Sequence, residues 1–138
     1  MYWEVGNENW ENKTGTADEI AQVAKEFAQA MKAVDPNIKV GCSGIGRKWF
    51  ETLLEVAGED LDFVTVSNYC GLRDFEYYRG SEDVILDGSA RDAAQVIEGS
   101  PHKDRIRVIV AEFGATTWSK TWLDKNNLGH AIVSFDIA

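Results

Sequence analysis

The chain has 138 residues, 44% of them hydrophobic and 27% charged. That is the size of one ordinary domain with enough apolar material to build a core, which argues against disorder. A formal net charge of −9 with no basic run argues against nucleic-acid or anionic-membrane partners. No apolar stretch approaches the roughly 20 residues of a membrane span.

No leader segment is visible ahead of the first apolar run, and the location stays open between secreted, periplasmic and cytoplasmic. Two cysteines, Cys42 and Cys70, are too few for a disulfide scaffold and read as buried thiols.

The elements follow in chain order. Tyr2 to Val5 reads as a strand, and a polar loop spans Asn12 to Thr16. Thr16 and Glu19 form a capping box that opens a helix. Ile20, Val23, Ala24, Phe27, Ala30, Met31 and Val34 recur at helical spacing and predict one buried stripe. Pro36 ends that helix.

Ile38 to Cys42 is the second strand. Phe50, Leu53, Leu54 and Ala57 mark a second helix, with Gly58 as its stop. Phe63 to Ser67 is the third strand, followed by an irregular stretch from Asn68 to Gly88. Ser89 is the expected cap of a third helix running through Ile97. Ile106 to Ala111 is the fourth strand. Leu128, Ala131, Ile132 and Phe135 predict a last helix, with a strand as the other reading.

Regular alternation of strand and helix implies a parallel sheet with covered faces. It suits an arc of a β/α barrel or a doubly wound sheet. In either, ligands bind at the carboxyl ends of the strands. Glu8 and Glu112 are the acidic residues at those ends. Two carboxylates on one rim are what glycoside cleavage requires: one protonates the leaving oxygen, and the other attacks the anomeric carbon or activates water. The bland alternative is that Glu112 is simply the first solvated residue after a strand. Gly41-Cys42-Ser43-Gly44-Ile45-Gly46 is a poor match to a phosphate-cradling loop, which weakens the nucleotide-binding reading.

Tyr2-Trp3-Glu4-Val5-Gly6-Asn7-Glu8 resembles the end of the fourth barrel strand of clan A glycoside hydrolases. There an Asn-Glu pair closes the strand, and the Glu is the acid/base. Val110-Ala111-Glu112-Phe113-Gly114 resembles the end of the seventh strand, which carries the nucleophile. The passage from Ala30 to Val40, with Asp35-Pro36 at its centre, is similar to that of α-L-arabinofuranosidases. So is the run from Asp62 to Tyr69. Two departures leave the sugar open, including agarase-like specificities. Ser67-Asn68 stands where that family carries a His, and Ala111-Glu112-Phe113 replaces an Asp-Glu-Trp-like motif.

The resemblance implies a partial (β/α)8 TIM barrel, with parallel strands four to seven and alternating helices. Residues 1–138 would be an incomplete catalytic domain, about half a barrel. It implies retaining hydrolysis of O-glycosidic bonds in plant or algal polysaccharide, with Glu8 as acid/base and Glu112 as nucleophile. Asn7 would bond the sugar 2-hydroxyl, and Tyr69 would aim Glu112. Trp10 and Trp118 would wall the site, and Asn68 would contact substrate.

No cofactor or metal is implied, since no His, Cys and carboxylate set has ligand spacing. The partners implied are an oligosaccharide or polysaccharide and the missing barrel segments of the same enzyme. The competing function is a non-catalytic α/β fragment that holds sugar on the same rim.

Overall fold

The computed structural model describes residues 1–11, 13–71 and 88–116. The expected last helix and Trp118 lie outside the described residues. Among the described residues four strands and three helices alternate: β1 (Tyr2–Val5), α1 (Ala17–Val34), β2 (Lys39–Ser43), α2 (Gly46–Ala57), β3 (Phe63–Gly71), α3 (Gly88–Glu98) and β4 (Arg107–Thr116). The strands lie side by side in the order β1-β2-β3-β4, and every pair is parallel. A doubly wound sheet would reverse its order at a switch point. This one does not, and it forms an unclosed arc of a β/α barrel.

Successive strand residues face opposite ways. Val40 and Cys42 of β2 and Val64 and Val66 of β3 are buried on the helix side. They pack in one core with Ile20, Ala21 and Ala24 of α1, Phe50 and Leu53 of α2, and Val96 and Ile97 of α3. The opposite face of the sheet is the inward face of the arc.

The capping box forms as the sequence predicts: the Glu19 N–H donates to Thr16 Oγ1 at 3.3 Å, and the Thr16 N–H donates to Glu19 Oε2 at 2.8 Å. The buried stripe of α1 is narrower than its apolar pattern. It consists of Ile20, Ala21, Ala24 and Ala28, whereas Phe27 is 55% and Val34 88% exposed. Small alanines let the helix sit close to its neighbours, and the second apolar strip points beyond the free side of β1.

Gly58 does end α2, but in ordinary helical geometry with φ −57°. Its lack of a side chain serves packing instead. A Cβ there would stand 2.4 Å from Nε2 of the buried His102. Helix α3 starts at Gly88, so Ser89 lies in its first turn and is not its cap.

Strands β3 and β4 outrun their expected ends at Ser67 and Ala111. Their pairing continues to Gly71 opposite Thr116, because each supplies the other's backbone partners.

Asp62 ties the amino-terminal end of the sheet together. Its carboxylate accepts from the Val40 N–H at 2.9 Å and pairs with Lys32 at 2.7 Å and Lys39 at 3.0 Å. Burial pushes the Asp62 carboxyl up, but the Lys32, Val40 and Lys39 contacts outweigh it and hold it below the ordinary value. A depressed carboxyl stabilises the fold above its unfolded pKa, and that contribution disappears as pH falls through the folded value. Asp62→Ala is therefore expected to cost about 1–3 kcal/mol at neutral pH. The difference from wild type should shrink as pH falls below the ordinary carboxyl value and through the lower folded one. Thermal melts across pH check both, and a difference that persists in acid would refute the assignment.

Candidate functional site

The loop after β1 is shaped by its backbone. Gly6 has φ +80°, a region glycine enters without steric cost. A Cβ on it would also lie 2.4 Å from the Asn9 amide nitrogen. Asn9 is buried, and Thr14 Oγ1 donates to its Oδ1 at 3.2 Å and to its carbonyl at 3.1 Å. The Glu11 N–H donates to the Glu8 carbonyl at 2.9 Å. Between these anchors Glu8 adopts φ +42°. A non-glycine residue there is strained, and such strain collects at functional sites.

Glu112 owes its orientation to a bulge. Val66 pairs with Val110, but Ser67 pairs with Glu112, so Ala111 is an extra residue on β4. One inserted residue turns everything after it to the other face. Without it Glu112 would share the helix-covered face with Asn68. With it, Glu112 joins Ser67 and Tyr69 on the inward face. Tyr69 Oη donates to Glu112 Oε2 at 2.8 Å. That bond, then burial, then the negative charges of Glu112 and Glu8 hold the Tyr69 hydroxyl above its ordinary pKa. The phenol therefore stays a donor, and both carboxylates act on one side chain.

A cleft of about 540 Å³ opens here, lined by Glu8, Trp10, Glu11, Ile45, Ser67, Tyr69 and Ser89. Trp10 stands edge-on to Trp49, with ring centres 6.2 Å apart. Asn7 is exposed on the loop between Gly6 and Glu8. Asn68 is a correction: it is buried, and strand alternation turns it away from the face that carries Tyr69. Ser67, one residue earlier, takes the place expected for it.

Asn9, Glu11, Ser67 and Ser89 were not anticipated. Period-two alternation through Thr65, Ser67 and Tyr69 would have found Ser67. No sequence signal marked the others.

Among the described residues no group of His, Cys, Asp and Glu is placed to hold a metal. Among them, too, no helix is long and apolar enough to cross a membrane. Cys42 is buried, and its thiol is pushed up to about 12, first by burial and then by the Glu4 charge. A thiol so far from ionisation is no nucleophile.

No protein-family model matches the chain. It is similar to the intracellular exo-α-(1→5)-L-arabinofuranosidase of Halalkalibacterium halodurans, 27% identical over 149 aligned positions. That match covers 99% of this chain and 29% of the relative. The intracellular exo-α-(1→5)-L-arabinofuranosidase 1 of Bacillus subtilis is 37% identical over 82 positions, 52% of this chain and 16% of the relative. Among solved structures, the α-L-arabinofuranosidase of Thermotoga maritima in its arabinose complex superposes with a TM-score of 0.80 at 27% identity. It is matched over 98% of this chain and 30% of its own. The chain thus spans less than a third of each of these relatives. In sequence and in fold it resembles part of a clan A glycoside hydrolase of the α-L-arabinofuranosidase kind.

Proposed function

We propose that this chain is the acid/base-to-nucleophile part of a retaining glycoside hydrolase, with Glu8 as acid/base and Glu112 as nucleophile. The observation that carries the reading is Tyr69. Its hydroxyl is bonded to Glu112 and also feels the charge of Glu8, beside a cleft that Glu8 lines. A carboxylate lining a cleft and a second one bonded to a tyrosine of the same cleft suit the two roles of glycoside hydrolysis.

In the first step a Glu112 oxygen attacks the anomeric carbon while Glu8 gives its proton to the departing glycosidic oxygen. The products are a glycosyl ester on Glu112 and a free alcohol. In the second step Glu8, now ionised, takes a proton from water. That water attacks the same carbon and releases Glu112 with retained configuration.

Tyr69 donates to the Glu112 oxygen and holds its orientation. Asn7 bonds the sugar 2-hydroxyl, a contact that strengthens in the transition state. Trp10 offers a face for stacking. The relatives' names favour terminal α-L-arabinofuranosyl groups of plant polysaccharide as substrate. The remaining barrel segments of the same enzyme complete the site. The alternative is a fragment that holds sugar on this rim without cleaving it.

A slowly turned-over fluorinated arabinofuranosyl donor separates the two. In the complete enzyme it is expected to leave a covalent sugar on Glu112, located by mass spectrometry of peptic fragments. A label on another residue, or none while the donor is still hydrolysed, would remove Glu112 as nucleophile.

A further inference from the structure

One further carboxylate on the inward face is given no role in that chemistry. Glu4 is two residues before Gly6 on β1. Thr65 Oγ1 donates to its Oε1 at 2.7 Å. The two residues belong to β1 and β3, which are not neighbours. Strand β2 runs between them, with Gly41 in register with Glu4 on one side and Phe63 on the other. A side chain at Gly41 would collide with the Phe63 ring, at 2.3 Å from its Cβ. Glycine lets the Phe63 ring lie close over β2, and the Glu4 carboxylate spans that strand to reach Thr65.

The inward row of β3 therefore holds two strands at two heights. Thr65 grips β1 through Glu4, and Tyr69 grips β4 through Glu112. The first of these strands leads into Glu8, and the second carries Glu112. Strand β1 is only four residues long and lies at one end of the described sheet. A charge-assisted bond to the buried Thr65 adds a side-chain constraint to the few backbone bonds so short a strand can make. Between Glu4 and Glu8 the backbone is locked by Gly6 and the Asn9 anchor, so a shift of β1 carries Glu8 with it.

We propose that Glu4, held by Thr65 across β2, is a positioning residue that places Glu8 against the leaving oxygen. The inference rests on the acid/base reading of Glu8.

The test compares kcat/KM in the complete enzyme for two glycosides of one sugar, one with an activated aryl leaving group and one with an unactivated alkyl group. Only the second needs a proton in the first step. Thr65→Val, which keeps shape but loses the donor, and Glu4→Ala are expected to lose about tenfold or more on the alkyl glycoside. On the aryl glycoside they should stay within about threefold of wild type. Glu4→Gln and Thr65→Ser, which keep an acceptor and a donor, should recover most of the loss.

Ser43 sits beside Thr65 in register, and its hydroxyl has no partner among the described residues, so Ser43→Ala should change neither rate. Equal losses on both substrates would mean general damage and overturn the proposal. So would no loss, or a Glu4→Gln enzyme as slow as Glu4→Ala. Glu8→Ala, assayed in parallel, separates the two failures. If it loses nothing on the alkyl glycoside, the acid/base reading itself has fallen.

Discussion

Glu112→Ala in the complete enzyme is expected to abolish formation of the glycosyl-enzyme and to lower turnover by several orders of magnitude. Added azide or formate should restore turnover of an activated glycoside with inverted product. A small anion occupies the vacated space and attacks from the side the carboxylate used. Glu8→Ala should behave differently. It should lose about 10²–10⁴-fold on substrates that need a proton, and spare the first step for good leaving groups. Its second step should slow, because the base is gone.

Azide should rescue Glu8→Ala with retention, since Glu112 still attacks first. The configuration of the rescued products, read by NMR, assigns each role. The same configuration from both mutants would defeat the assignment. So would losses under about tenfold in both.

The chain by itself is expected to self-associate and to show no turnover. Its sheet is an open arc, with β1 and β4 at the two ends of the described strands. At one end Trp3 is 47% and Tyr2 67% exposed, and Phe27 of α1 is exposed beyond them. Trp3 and Phe27, with Val23 and Met31, border an apolar groove between β1 and α1. An unpaired edge beside exposed aromatics pairs readily with another chain. Size-exclusion chromatography with light scattering should find oligomers or aggregate. Phe27→Glu should raise the soluble monomer without creating activity. A stable, active monomer of the unmodified chain would contradict both the open-edge argument and the need for the remaining barrel segments.

Several features of this protein were legible in its residues. The capping box at Thr16 and Glu19 and the core positions Phe50, Leu53 and Leu54 of α2 are local patterns with local causes. So are the strand and helix alternation and the parallel sheet that it implies. The Gly6-Asn7-Glu8 and Ala111-Glu112-Phe113-Gly114 runs marked the candidate acids, one just after β1 and one inside β4.

Other features depend on partners distant in the chain. Strands β3 and β4 run past their apolar stretches because each satisfies the other's backbone, which no single-strand pattern reveals. The apolar period of α1 could not say which side of the helix would find a neighbour. The turn of Glu112 toward Tyr69 hangs on one extra residue, Ala111. A bulge is a property of a pair of strands and leaves no mark in either alone. The bond from Thr65 to Glu4 joins residues 61 apart across a third strand. Residue chemistry named the candidate acids, but register, bulge and cross-strand contact aimed them, because those are relations between segments brought together only by folding.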